Sequence, residues 1–243
     1  MRATGIDEVL TGASRWCVVT GDCLALQSLP PALLLTDPPW GVAVRTDNAA
    51  RGRGGRPYEP TGRAVDFPPV AGDDRPFDPR PFLGFERAVM WGANHYADQL
   101  PRSHCWFAWD RKTTRGADSD ITDVELAWVR GLPYKTTRLF RHMWAGFQRD
   151  SETGEQVLHP TQKPIALFAW CLTFFPNADV VLDPFCGSGS SGVAAMRAGR
   201  RFIGIECVEG YADLARERLS AEVSGSTLKA SRAGQQPLFG DSR

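Results

Sequence analysis

The sequence predicts an α/β domain built on an open, mostly parallel sheet. Three observations lead there. Short apolar runs bounded by turn residues recur along the chain, and segments of helical period lie between several of them. One buried run, at 180–192 (VVLDPFCGSGSSG), passes straight into a glycine-rich turn and then a helix. At 243 residues and 26.7 kDa the chain can build one such core with an inserted lobe, and is too short for two enzymatic domains.

Taken in order, strands are expected at Trp16 to Thr20, Leu33 to Thr36, Ala88 to Trp91, Cys105 to Trp109, Val180 to Asp183 and Phe202 to Ile205, with more among residues 124 to 144. Helices are expected after Pro164, after Gly189 and after Val208, where apolar residues return at three- and four-residue spacing. Residues 1–223 therefore read as one domain. Within it, 41–80 is dense in Gly and Pro, carries Arg45, Arg51, Arg53, Arg56 and Arg63, and reads as a long mobile insert. Residues 130–158 form a short segment between the central strands and the next motif. From Ser224 the chain is polar and is expected to be a disordered tail.

Composition sets limits on function. Lys plus Arg and Asp plus Glu both number 28, so any grip on a polyanion has to come from local patches. The six cysteines (Cys17, Cys23, Cys105, Cys171, Cys186, Cys207) lack zinc-type spacing and read as reduced thiols of a cytoplasmic protein; no metal is expected. No stretch approaches the roughly 18 apolar residues of a membrane span.

The turn at 183–190 is the layout of a nucleotide-type cofactor loop, with Gly187 and Gly189 letting backbone approach a ligand. Glu206 ends the next strand, where a carboxylate can accept both ribose hydroxyls. Alone, these features suit NAD as well as S-adenosylmethionine, and an oxidoreductase stays open on them. This βαβ unit begins near residue 179, so earlier strands must complete the sheet.

A second motif is LLLTDPPW at 33–40, in which a strand stops at Asp37 and two prolines hold the backbone extended. An aromatic amine is a poor nucleophile because its lone pair is delocalised into the ring. The Asp37 carboxylate and the Pro38 carbonyl can each accept one amine hydrogen and turn that lone pair outward, with Pro39 fixing the loop and Trp40 offering a flat face to a base. A third motif, HPTQKP at 159–164, precedes a helix. Thr161 is expected to cap that helix, Lys163 to lie near its first turn, and its free amides to suit a carboxylate.

DPPW, HPTQKP and DPFCGSG, in that order, resemble the permuted β group of DNA amino-methyltransferases over about residues 16–220. The resemblance implies a Rossmann-like fold with a seven-stranded, mostly parallel sheet flanked by helices, and transfer of a methyl group from S-adenosylmethionine to a flipped base in DNA. An acid at the head of the tetrapeptide is more usual for adenine N6, and serine for cytosine N4. It implies catalytic roles for Asp37, Pro38, Pro39 and Trp40. It also implies a cofactor pocket of Asp22, Cys23, His159, Thr161, Lys163, Asp183, Phe185, Cys186, Gly187, Ser188, Gly189, Ser190, Glu206 and Cys207, with Phe185 beside the cofactor and Asp22 receiving its adenine amine. The segment WGANHYAD (91–98) resembles one that helps to form the base pocket in phage-type members.

Cationic clusters are expected to meet DNA phosphates: Arg51, Arg53 and Arg56 in the insert, Arg111 and Lys112, and Lys135, Arg138 and Arg141. A DNA-binding module with a vestigial site is the non-enzymatic alternative, and the chain is expected to be a monomer or homodimer. Finally, QQPLF at Gln235 to Phe239 resembles the peptide by which bacterial proteins bind the replication sliding clamp.

Overall fold

A computed structural model of the chain describes residues 4–25, 32–44, 46, 67–112, 122–145 and 148–233. Arg45, Arg51, Arg53, Arg56, Arg63 and the segment Gln235 to Phe239 lie outside the described residues. Helix α1 (Thr4–Thr11) leads into β1 (Trp16–Thr20), β2 (Leu33–Thr36), β3 (Arg87–Trp91), β4 (Cys105–Asp110), β5 (Val124–Arg130) and β6 (Arg138–Arg141). A two-residue pair follows, β7 (Trp144–Ala145) and β8 (Gln148–Arg149), then α2 (Ile165–Thr173), β9 (Val180–Asp183) and α3 (Ser190–Arg197). The described chain ends with β10 (Arg201–Glu206), α4 (Glu209–Val223) and α5 (Leu228–Arg232).

The main sheet has eight strands where seven were expected, in the order β1-β10-β9-β2-β3-β5-β4-β6. Strand β5 alone is reversed: it pairs antiparallel with both β3 and β4, and every other pairing is parallel. The order makes the permutation visible, because the late strands β10 and β9 sit between the early strands β1 and β2. Thus the end of the LLLT run lies beside the strand that feeds the glycine turn.

Side-chain alternation sends each strand's apolar residues to two separate cores. Leu33, Leu35, Val89, Trp91, Val181 and Phe202 meet α2, α3 and α4 on one face. Leu34, Ala88, Met90, Leu182, Ile203 and Ile205 meet Ile6 and Val9 of α1, with Phe77 and Phe82, on the other. Burial of each leucine in the LLL run stabilises the fold by about 1.5–3 kcal/mol, and this doubly covered arrangement explains why the strands read as continuous apolar runs.

Two expectations change. The described part of 41–80 is anchored, not loose: the buried Asp73 carboxylate accepts amide hydrogens from Trp40, Gly41, Val42 and Val44, at 2.7–3.3 Å. Phe77 and Phe82 of the same stretch are core residues. Past Ser224 the chain does not lose structure at once, since the Thr227 hydroxyl accepts from Ala230 N and caps α5.

Candidate active site

The site forms where β2 and β9 end side by side. Thr36, the last residue of β2, donates its hydroxyl to Asp183 Oδ1 at 2.6 Å. Asp183 also takes Phe185 N at 3.1 Å and Ser191 Oγ at 2.5 Å, so one buried carboxylate joins two strand ends to the glycine turn and α3. Burial lifts its pKa to about 6 despite these donors.

Asp37 follows directly. Its Oδ2 lies 2.6 Å from Lys163 Nζ, and its Oδ1 accepts the Trp40 indole N–H at 3.2 Å. Burial, reinforced by Glu125, outweighs the pull of Lys163 and raises the Asp37 pKa. Burial opposes the Lys163 charge, yet Asp37 and Glu125 together leave the Lys163 pKa raised. The Lys163 ammonium also stands 4.6 Å from the Trp40 ring centre and 3.4 Å from Glu125 Oε2.

Trp40 is held from several sides. His95 stacks on it at 4.8 Å and 14° between planes. Gly92 backs it with φ +71°, and a Cβ there would fall 1.8 Å from Trp40 Nε1, so only glycine fits. The expected open face for a base is therefore partly taken by the chain's own ring. Tyr96 is structural, donating its buried hydroxyl to Trp91 O at 2.6 Å.

At the glycine turn, Gly187 (φ +50°) leaves room beside the His159 ring, which a Cβ would approach to 3.5 Å. Gly189 (φ +83°) also serves packing: its missing Cβ admits Ala215 of α4, which a Cβ would meet at 3.0 Å. Ser188 and Ser190 are gripped from behind by buried Arg218, at 2.7–3.3 Å. Glu206 Oε2 accepts Gly187 N and its Oε1 accepts Val208 N, both at 2.9 Å.

The HPTQKP segment departs from expectation. Helix α2 begins at Ile165 behind Pro164, with no cap from Thr161. Thr161 instead turns back to His159 Nδ1, through its hydroxyl at 3.2 Å and its amide at 3.3 Å. The helix amide that suits a carboxylate is met by Glu152, whose Oε2 accepts Ile165 N at 3.0 Å. Burial, then the Lys163 charge, lowers the His159 pKa to about 4, so the ring is neutral at neutral pH.

One cleft brings together Asp37, His159, Thr161, Lys163 and the turn residues Asp183, Phe185, Cys186, Gly187, Ser188 and Ser190. Phe185 also packs edge-on against Phe77 and Phe82, at 5.6 and 5.5 Å. Glu206 adjoins this cleft through its bond to Gly187 N, and Asp22, Cys23 and Cys207 lie around the ends of β1 and β10. There Asp22 Oδ1 accepts Leu24 N at 2.9 Å. Lys112 pairs with Asp123, Arg141 lies 3.8 Å from Asp110, and Arg138 lies over Tyr134 at 5.4 Å, all near the β4 and β6 edge. Arg111 turns inward to Glu125 Oε1 at 2.5 Å, away from the phosphate role expected of it. Sequence reasoning missed Asp73, Glu125, Glu152 and Arg218. Only Glu125 left a trace, as an acid inside an apolar strand.

A family model described as DNA methylase, covering N6 and N4 enzymes, matches residues 94–217, just over half of the chain. The chain belongs to this DNA methylase family. The matched region holds HPTQKP and the glycine turn, while the DPPW tetrapeptide lies before it.

Among methylase relatives, the Type II methyltransferase M2.DpnII of Streptococcus pneumoniae is 52% identical over 65 residues, 26% of this chain. That match spans 24% of the relative's own length. The crystal structure of the M1.HpyAVI-SAM complex aligns with TM-score 0.50 and 20% identity, over 84% of this chain and 98% of that one. PvuII DNA methyltransferase (cytosine-N4-specific) aligns with TM-score 0.53 and 15% identity, over 92% and 95%. At these identities the two structures show a shared fold. No helix among the described residues of this methylase is long and apolar enough to cross a membrane.

Proposed function

We propose that this DNA methylase moves a methyl group from S-adenosylmethionine to the exocyclic amine of a flipped base in DNA, and that the base is adenine, methylated at N6. One observation carries the reading: Asp37 shares a cleft wall with Gly187, Ser188 and His159, so an amine acceptor faces a nucleotide-type turn. The acid at the head of DPPW supports adenine.

The residues present fit the cofactor. Gly187 keeps the space between the turn and His159 free of a side chain. Glu206 and Asp22, at the ends of neighbouring strands, supply carboxylates for ribose hydroxyls and the adenine amine, flanked by Cys23 and Cys207. Neutral His159, with Thr161, Lys163 and the serines of the turn, lines the part left for the methionine portion. When bound, S-adenosylmethionine supplies a methyl group made electrophilic by its sulfonium.

The chain's own residues do the rest. The Asp37 carboxylate and the Pro38 carbonyl accept the two amine hydrogens and draw the nitrogen toward a tetrahedral shape. Prolines 38 and 39, with the Asp73 clamp behind Trp40, hold those acceptors still. Fixed placement is the main source of rate in such a transfer. Lys112, Arg138 and Arg141 face phosphates, with Arg51, Arg53 and Arg56 as further candidates, and the Gln235 to Phe239 segment docks on a sliding clamp.

The test is incubation with labelled S-adenosylmethionine and duplexes in which only adenine or only cytosine can be methylated, followed by nucleoside mass spectrometry. N6-methyladenine is expected. N4-methylcytosine would reassign the base and keep the chemistry, and absence of label from both duplexes would end the proposal. A tail peptide that shows no clamp binding in a direct titration removes the docking role.

A further inference from the structure

Two carboxylates compete for one ammonium beside the amine acceptor. Lys163 Nζ is 2.6 Å from Asp37 Oδ2 and 3.4 Å from Glu125 Oε2. Glu125 is 2% exposed, and this Oε2 is a buried oxygen with no hydrogen-bond donor. Its other oxygen is committed to Arg111, whose guanidinium is fixed in turn by the Trp144 carbonyl at 3.0 and 3.3 Å. A buried acceptor left unpaired is costly, and a charge-assisted bond closes at about 2.7–2.9 Å. A shift of the ammonium by less than about one ångström would satisfy Glu125 and loosen Asp37.

We propose that Glu125 is a positioning residue for methyl transfer: it draws Lys163 off Asp37 when a base amine arrives, leaving the Asp37 carboxylate a stronger acceptor for the amine hydrogen. The inference rests on the reading of Asp37 as the amine's acceptor. Glu125 touches neither base nor cofactor in this scheme and acts through Lys163. The anchored Arg111 keeps Glu125 in place while Lys163 moves.

The groups around the pair are known. Asp37 comes from the end of β2, Lys163 from the approach to α2, Glu125 from β5 and Arg111 from just past β4. Asp183 at the end of β9 and buried Tyr96 lie within electrostatic reach of Asp37. His159 feels Lys163, and His95 feels Glu125 and Asp73.

The experiment compares wild type, Glu125→Gln and Arg111→Gln. In cofactor-free protein, the Asp37 carboxyl is titrated by carbon-13 NMR. Glu125→Gln is expected to lower its midpoint, since a negative neighbour is gone and Lys163 has one partner left. Arg111→Gln, which frees Glu125 from its other cation, is expected to raise it, and serves alone if the first variant does not fold. In single-turnover methylation, Glu125→Gln is expected to fall about tenfold or more with folding intact. An Asp37 midpoint unmoved in the folded variants, or a Glu125→Gln rate within about twofold of wild type, overturns the inference. Should wild type transfer no methyl group to DNA, the proposed function fails, while the NMR arm still decides the coupling of Glu125 to Asp37.

Discussion

The hydroxyl of Thr36 and the carboxylate of Asp183 are joined by a buried 2.6 Å hydrogen bond. Asp37 follows the first and the glycine turn follows the second, so this bond sets the distance between the DPPW tetrapeptide and the glycine turn. Replacing Thr36 with Val removes a donor from a buried carboxylate. A loss of about 1–3 kcal/mol is expected by urea denaturation, with slower methyl transfer; unchanged stability would show the bond to be incidental.

Asp37→Ala is expected to keep cofactor affinity within a few-fold and to lose roughly 10²–10³ in turnover, the scale seen when an oriented transition-state partner is removed. Calorimetry on the variant separates the two effects. Near-normal turnover would refute the role given to Asp37.

Asp73→Ala leaves the amides of Trp40, Gly41, Val42 and Val44 without their shared acceptor. Misplacement of the tetrapeptide by about 1 Å is worth about 10²-fold in rate, and that is the expected fall in kcat. A variant as fast as wild type would make the clamp dispensable.

Gly92→Ala places a methyl group where the Trp40 indole nitrogen lies and asks alanine to adopt φ +71°. The strain is on the order of 1–3 kcal/mol. A lower thermal midpoint and loss of the Trp40 to Asp37 contact are expected, and a crystal structure of the variant with Trp40 in place would contradict this.

Two buried groups give stability opposite dependences on pH. His159 has its pKa depressed from 6.5 to about 4 in the fold, so its contribution is present above the unfolded value and is lost as pH falls through about 4. Asp183 is raised from 3.8 to about 6, so its contribution is present below the unfolded value and fades as pH rises through about 6. His159→Gln should therefore flatten the acid-side loss of stability between about pH 6.5 and 4. Parallel wild-type and variant unfolding curves across that range would exclude His159 as its source.

The strands were legible because burial on both faces leaves continuous apolar runs, and β1, β2 and β9 begin and end where their sequences predict. Helix α1 escaped because its helical spacing, at Ile6, Val9 and Leu10, runs for only about two turns and is too short to stand out. The motifs could be read because each is local: DPPW, HPTQKP and DPFCGSG carry their meaning in adjacent residues. What holds them could not. Asp73 acts from more than thirty residues beyond Trp40, Arg218 reaches the turn from another helix, and Glu125 meets Lys163 from the reversed strand. Such partners are set by topology, and the sequence has no local pattern that announces them.

Placement of β10 and β9 between β1 and β2 has a consequence for the nascent chain. Strand β1 has no partner in the sheet until β10 emerges, β2 has one only on its β3 side until β9 does, and the gap between them closes only when residues near 206 are complete. Assembly is thus dominated by contacts between distant parts of the sequence, the regime in which folding is slow. Until β9 and β10 are made the DPPW tetrapeptide has no glycine turn opposite it, so the cleft between the two forms only when those later strands slide into the vacant lane.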